Sequence, residues 1–239
     1  MVAGHTGGVG DEQATLLAYD GLEDQERWRY QDMGFDGSRT LLRAVLSGSD
    51  GRIYGMGTYF PSADPEGTLL MTFSQAGEAL DRHVSDEVNG AALAEAGGRM
   101  YVFGERFGKP IILPFDDVGG PGIGPALPPG FERAIPQVFW PLPDGWLLVM
   151  DIRGPGVAPD QPFAMTWVVR VDHEGTIVWD KQYADPVSLG AEFRSATLAG
   201  DQLHLLFRAE ADRGGPPDRQ VALTLDGGCR VAPRLVFSE

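Results

Sequence analysis

One stretch of sequence, Ser49-Asp-Gly-Arg-Ile-Tyr-Gly-Met-Gly57, decides the fold because variants of it recur along the chain. Each copy has a glycine-containing turn followed by an apolar strand. The other copies are Glu95-Ala-Gly-Gly-Arg-Met-Tyr-Val-Phe-Gly104, Pro143-Asp-Gly-Trp-Leu-Leu-Val-Met-Asp151 and Ala199-Gly-Asp-Gln-Leu-His-Leu-Leu-Phe207. Their turn glycines, Gly51, Gly98, Gly145 and Gly200, lie 47, 47 and 55 residues apart. A turn-and-strand unit with a period of about fifty residues indicates a repeat array.

A second recurring unit consists of an apolar strand, a turn rich in glycine and acidic residues, and another strand. Its copies span Thr15–Trp28, Thr68–Leu80, Thr166–Trp179 and Val221–Val231. Two hairpins per repeat give four strands, named a to d from the inside outward, which is the composition of a β-propeller blade. We therefore predict an all-β fold, a five-bladed β-propeller of four-stranded antiparallel blades whose first blade is incomplete.

The predicted blades occupy residues 1–35, 36–88, 89–130, 131–187 and 188–239 of a single domain. Inner strands are predicted to begin near Arg39, Asn89, Phe131 and Gly190. The first blade lacks strand a, so either the ring closes imperfectly or residues before Met1 are missing. In the third blade, Gly119–Gly130 replaces strand d, because its prolines cannot donate to a β-ladder. We interpret it as a surface loop; the alternative is a linker that divides the chain near residue 125.

Two of the hairpins, Arg170–Lys181 and Ala18–Trp28, resemble the turn-then-tryptophan hairpins of bacterial propeller repeats of the quinoprotein-like type. The likeness is to the blade and extends over most of the chain, as a degenerate, WD40-like repeat. It implies that Trp28 and Trp179 dock between neighbouring blades and are structural. Such blades occur in quinone enzymes, assembly scaffolds, lectins and adhesins, so the resemblance implies no specific function.

Composition excludes several classes of protein. The 239 residues include 19 Lys and Arg against 34 Asp and Glu, a net charge of -15, which argues against binding to nucleic acid or an anionic membrane. No apolar run reaches the roughly 18 residues of a membrane helix, and the N-terminus lacks the pattern of a signal peptide. We predict a soluble protein without membrane insertion, either cytoplasmic or exported with its signal missing from this chain.

Residues that could carry chemistry do not form recognised motifs. The histidines, His5, His83, His173 and His204, are too far apart in sequence for a metal-binding motif. The only cysteine, Cys229, has no histidine near it in sequence. Adjacent acids such as Asp116 and Asp117 would point to opposite faces of a strand and so cannot form a catalytic dyad alone. We predict no catalytic residue, no metal and no cofactor.

Loop lengths indicate where a ligand would bind. In a propeller, the a–b and c–d turns share one rim and are short here, whereas the b–c loops on the other rim are long and unlike one another. These b–c loops span Phe60–Gly67, Gly154–Pro162 and Glu210–Asp218. Variable loops on a rigid scaffold are common sites of binding, so we predict that the long-loop face binds the partner.

Five arginines are predicted to lie at the base of that face, namely Arg39, Arg106, Arg133, Arg153 and Arg208. Three of them repeat at the intervals of the turn glycines, and the other two each precede a turn glycine by 12 residues. Guanidinium groups bind anions through paired hydrogen bonds, so the set predicts an anion or carboxylate pocket. The alternative is that each arginine pairs with a loop acid such as Asp64, Asp160 or Asp218.

Together these features predict a non-catalytic recognition or scaffold module, a monomer that binds a protein or a small anionic or carbohydrate ligand. Two other classes remain open. One is a propeller enzyme of the quinoprotein or glycosidase kind. The other is an acidic inhibitor or immunity-type protein directed against a basic partner, which would bind with an affinity that falls sharply with salt.

Overall fold

A computed structural model describes residues 2–6, 13–20, 25–31, 39–60, 66–154, 164–183, 192–200, 202–208, 219–224 and 234–236. These residues form β-strands joined by turns, and no helix occurs among them. The strands are β1 Val2–Thr6, β2 Gln13–Asp20, β3 Gln25–Gln31, β4 Arg39–Ser47, β5 Ile53–Phe60, β6 Gly67–Phe73, β7 Ala79–Ser85, β8 Asn89–Ala96, β9 Arg99–Arg106, β10 Lys109–Pro114, β11 Arg133–Leu142, β12 Gly145–Arg153, β13 Ala164–Val171, β14 Ile177–Tyr183, β15 Glu192–Ala199, β16 Gln202–Arg208, β17 Arg219–Thr224 and β18 Arg234–Val236.

The described strands form five antiparallel sheets in which each strand pairs with the next along the chain. The first sheet is β1–β3, the second β4–β7, the third β8–β10, the fourth β11–β14 and the fifth β15–β18. The first strands of four sheets begin within two residues of the predicted positions: β4 at Arg39, β8 at Asn89, β11 at Arg133 and β15 at Glu192. The first sheet has three described strands, which agrees with the prediction of an incomplete first blade.

The chain divides into two compact units, Met1–Gly124 and Pro125–Glu239. The first three sheets belong to the first unit and the last two to the second. The boundary falls inside Gly119–Gly130, the segment for which a linker was the alternative interpretation. The assignment of residues 1–239 to a single domain stays a prediction.

Within the first unit, the second sheet is covered on both faces. Leu69 and Met71 of β6 pack with residues of the first sheet, including Leu16. Leu70, on the other face of β6, packs with Val102 of the third sheet. Successive side chains of a strand point to opposite faces, so a strand between two neighbours becomes apolar along its whole length. Every residue of β6 is buried for this reason.

Trp28 connects the first sheet to the second. Its indole Nε1 donates a hydrogen bond to the carbonyl oxygen of Gln75, 3.0 Å away, in the turn between β6 and β7. The ring lies so close to Gly77 that a Cβ at that position would be 2.5 Å from it. Trp28 therefore has the structural role that the blade resemblance implies.

The third sheet ends with a Gly- and Pro-rich segment in place of a fourth strand, as predicted. After β10, one bridge extends the ladder: Ile112 and Ile123 exchange hydrogen bonds of 2.6 and 2.9 Å. Pro110 and Pro114, at the same edge of β10, have no N–H to donate. A Cβ on Gly124 would lie 2.0 Å from the carbonyl oxygen of Pro110, so glycine permits this close approach.

In the second unit, the fourth and fifth sheets share an apolar core. Leu147 and Val149 of β12 pack with Leu203 and Leu205 of β16, all of them fully buried. Trp179 is partly buried against this core, which agrees with the structural role that the resemblance implies. Burying each of these leucine and valine side chains contributes about 1.5–3 kcal/mol of hydrophobic stabilisation.

Candidate functional site

A cleft of about 650 Å³ opens in the first unit between the second and third sheets. It lies beside the a–b turns of these sheets, and its volume is in the range of ligand-binding cavities. We call it the turn-side cleft. Its lining residues are Arg52, Tyr54, Leu70, Thr72, Leu80, Asp81, His83, Gly98, Arg99, Met100, Phe115, Asp116, Asp117 and Val118.

The turn-side cleft lies beside the edge at which the third sheet has no fourth strand. On the second sheet, Thr72 pairs with Asp81, and Leu70 pairs with His83. Cross-strand partners share a face, and this face is the one turned toward the third sheet. A fourth strand of the third sheet would cover it near β7, but the third sheet stops at β10. Leu80 of β7 lines the cleft and is 52% exposed.

The floor of the turn-side cleft is apolar. Leu70, Met100 and Val118 are buried, with exposed fractions of 1%, 5% and 4%. Phe115 meets the ring of Tyr54 edge to face, with centroids 5.1 Å apart and an interplanar angle of 81°. Edge-to-face contacts of this kind are favourable beyond the area they bury, so the floor is held in a defined position.

The polar group at the second-sheet wall is centred on Asp50. Its carboxylate accepts hydrogen bonds from the backbone N–H of Arg52 at 3.0 Å and from the hydroxyl of Tyr54 at 2.7 Å. These two hydrogen bonds, the first being the stronger cause, hold the pKa of Asp50 below its usual value. Burial, with Asp50 as a second cause, raises the pKa of Tyr54. The hydrogen bond to Asp50 keeps the Tyr54 hydroxyl oriented.

A carboxylate also fixes the two walls relative to each other. Both oxygens of Glu95, on β8, accept hydrogen bonds from the backbone N–H of Ser49, at 3.1 and 3.0 Å. The Ser49 hydroxyl donates to the same carboxylate. This contact joins the a–b turn of the second sheet to the inner strand of the third. Hydrogen bonds therefore hold together the two elements beside the opening of the cleft.

The third-sheet wall carries both paired and unpaired charges. Arg99 donates from Nη2 and Nε to Asp116, at 2.8 and 3.2 Å, and the hydrogen bond to Asp116 raises the pKa of Arg99. Among the described residues, neither Asp81 nor Asp117 forms an ion pair. Arg52 lies 3.6 Å from Asp50, and the charge of Asp117 also contributes to the raised pKa of Arg99. Counting Asp50, four carboxylates lie at the cleft with two arginines, so acidic charge is in excess.

The predicted arginines do not line this cleft, and they divide between the two units. Arg39 begins β4 and lies over the ring of Phe60, with its guanidinium carbon 4.9 Å from the ring centroid. Arg133 and Arg153 are directly paired residues of β11 and β12. Arg208 is paired with Glu192, and its side chain lies outside the described residues.

Arg106 is engaged by its own chain. Its Nη1 donates to the carbonyl oxygen of Gly120 at 3.0 Å, and its Nη2 donates to that of Val118. The side chain is 16% exposed, with Glu87 3.9 Å away. Arg106 thus fastens the segment after β10 across the face of the third sheet.

The equal sequence spacing of Arg106 and Arg153 does not give them equivalent positions. The inner strands of the second to fifth sheets share a β-bulge, at Leu42/Ala44, Gly90/Ala92, Pro136/Val138 and Phe193/Ser195. The residue paired with the start of the bulge is Gly104 in the third sheet and Met150 in the fourth. Arg106 lies two residues after Gly104, whereas Arg153 lies three residues after Met150. Because side chains alternate, the two arginines point to opposite faces of their sheets.

Several predictions fall outside the described residues or on other surfaces. The long b–c loops fall mostly or wholly within residues 61–65, 155–163 and 209–218, which are not described, and Cys229 is not described either. His83 lines the cleft, whereas His173 lies 3.4 Å from the Pro143 carbonyl oxygen. No group of three His, Cys, Asp or Glu side chains in the described part could hold a metal ion. Within those same residues, no helix has the length and apolar character needed to cross a membrane.

Comparison with known proteins supports the fold and nothing finer. The chain is similar to one from the structure of Drosophila Plexin A in complex with Semaphorin 1b, with a TM-score of 0.52 at 9% identity. That alignment covers 94% of this chain and 52% of the other, so this chain spans about half its length. A neuraminidase-like protein of A/flat-faced bat/Peru aligns with a TM-score of 0.40 at 11% identity, covering 92% and 70%. No family model and no curated protein matches the sequence. The predicted β-propeller fold class is confirmed.

Proposed function

We propose that this chain is a non-catalytic recognition module that binds its ligand in the turn-side cleft. The observation that carries the proposal is the lining of a 650 Å³ cleft by an apolar floor and a polar rim. Ligand sites combine a mostly apolar surface with a few placed polar groups that fix the orientation of the ligand.

The polar rim is held ready for binding. Asp50 fixes the hydroxyl of Tyr54, and Asp116 fixes the guanidinium of Arg99. Glu95 ties the two walls through Ser49. Side chains that are ordered before a ligand arrives lose less conformational entropy on binding, so these contacts favour recognition.

The long-loop face remains a second location within this proposal. Arg133 and Arg153 are paired on adjacent strands of the second unit and are both exposed, which supports an anionic or carbohydrate ligand at this end of the fourth sheet. Arg106 contributes less, since its guanidinium is already hydrogen-bonded to backbone carbonyls. The assignment of the repeats to the quinoprotein-like type likewise remains a proposal, supported by the tryptophan hairpins.

Filling the cleft tests the proposal. Leu80→Trp would occupy it from the exposed position on β7, and Val178→Trp is the matched control, since Val178 is 54% exposed on β14 and lies outside the cleft. Both variants and the unmodified chain are applied to a glycan array and a random-peptide array. We expect bound probes to lose about tenfold in affinity, about 1.4 kcal/mol, with Leu80→Trp only. The absence of any bound probe, or equal binding by both variants, would overturn the proposal.

A further inference from the structure

We infer that the turn-side cleft accepts a lysine or arginine side chain from a basic segment of a partner protein. This inference rests on the proposed function and names the chemistry of its ligand. Three observations support it: the excess of acidic charge on the rim, the apolar floor below it, and the opening on one side of β7.

The charge of the rim selects for a cation. Arg52 and Arg99 are each close to an acid, at 3.6 Å from Asp50 and 2.8 Å from Asp116. Asp81 and Asp117 line the same cleft and form no ion pair within the described part of the chain. Carboxylates in a cleft with apolar walls attract a cation more strongly than on an open surface, because field lines are focused there.

The floor selects for a cation on an aliphatic stem. Leu80, which is 52% exposed, and the partly exposed Phe115 present apolar surface in the cleft, above buried floor residues such as Leu70. Lysine and arginine bury their methylene stems against such surfaces while the charged group remains with polar neighbours. A bare metal ion would leave this apolar floor unused, so the floor favours an organic cation.

General attraction to an acidic protein must be separated from binding in the cleft. The whole chain carries a net charge of -15, which draws any polycation to its surface. A double variant, Asp81→Asn with Asp117→Asn, removes two charges from the cleft. Its matched control is Glu132→Gln with Glu174→Gln, which removes two charges at exposed positions of the second unit.

The experiment is calorimetric titration of the full chain with hexalysine, with a hexapeptide of diaminopropionic acid, whose stem is shorter, and with spermine. We expect hexalysine affinity to fall about fivefold or more with the cleft double variant and less than twofold with the control. The short-stemmed peptide should bind more weakly than hexalysine to the unmodified chain, because it cannot reach the floor.

The outcomes are distinguishable. Equal losses in the two double variants would show general attraction and overturn the inference, as would no loss in either. Spermine binding as tightly as hexalysine would overturn the assignment to a protein segment. If Leu80→Trp weakens the binding of array probes while the affinity for hexalysine is unchanged in the cleft double variant, the inference fails and the proposed function stands.

Discussion

The third and fourth sheets complete their outer edges in different ways. In the fourth sheet, the outer strand β14 pairs with β13 along its whole length, from the pair Thr166 and Tyr183 to the pair Val171 and Ile177. The indole of Trp167 also donates a hydrogen bond of 2.9 Å to Asp180 on β14. In the third sheet, the single described pair beyond β10 is Ile112–Ile123. The rest of the segment is held by turn hydrogen bonds, from Asp117 to Pro114 and from Gly120 to Asp117, and by the side chain of Arg106.

The difference shows how a binding cleft can arise from the loss of a strand. A β-strand satisfies its own backbone through the ladder and covers the neighbouring sheet. The segment that replaces it satisfies the carbonyls of Val118 and Gly120 through Arg106 and leaves part of β7 uncovered. The turn-side cleft opens between β7 and the first residues of this segment.

The largest effect is expected where the replacing segment meets β10. In Gly124→Ala, the new Cβ would lie 2.0 Å from the Pro110 carbonyl oxygen, so the Ile112–Ile123 bridge must open. We expect the free energy of unfolding to fall by about 3 kcal/mol, measured by urea denaturation.

Gly119→Ala is the control for that change, because a Cβ at position 119 meets nothing within 4 Å. Its effect should stay within about 0.5 kcal/mol. If Gly124→Ala were as mild as Gly119→Ala, the segment would not depend on close contact with β10, and the contrast with the fourth sheet would lose its physical basis.

A smaller loss is expected from Arg106→Met, which keeps the apolar stem and removes the hydrogen bonds to two carbonyls. Charge-assisted hydrogen bonds to buried acceptors contribute roughly 1.5–3 kcal/mol, so unfolding should become easier by about 2 kcal/mol. Hydrogen exchange should accelerate at the amides of residues 118–123.

Arg153→Met separates this role from a general effect of losing an arginine, because Arg153 is exposed at the end of β12. Its free energy of unfolding should change by less than about 0.5 kcal/mol. Equal losses in the two variants would contradict the assignment of Arg106 as the residue that fastens the segment.

The strands could be predicted because turn signals recur along the chain. Arg39 and Asn89 were predicted as starting points and are the first residues of β4 and β8. β11 and β15 begin two residues after the predicted positions, at Arg133 and Glu192. The missing outer strand of the third sheet could also be predicted, since proline cannot donate to a ladder.

The candidate site could not be predicted in the same way. Arg99 and Asp116 meet because they continue the register of the β9–β10 hairpin. Their position beside Tyr54 of the second sheet depends on packing between sheets, which no local pattern encodes. The face on which an arginine lies depends on whether an odd or even number of residues separates it from the bulge. Gly98 precedes β9 whereas Gly145 begins β12, so equal intervals place Arg106 and Arg153 differently.

The smallest expected effect concerns the complete edge of the fourth sheet. Burial raises the pKa of Tyr183, the last residue of β14, to about 12. A raised pKa means that the folded protein holds this proton more tightly than the unfolded chain, so the associated stability is complete below pH 10 and is lost as the pH rises toward 12. Tyr183→Phe removes this titration, and the stability difference between the two proteins should shrink by roughly 1 kcal/mol across that range, discounted for the partial exposure of the ring. Urea denaturation at closely spaced alkaline pH values measures it, and a difference that stays constant with pH would show that β14 does not bury this hydroxyl.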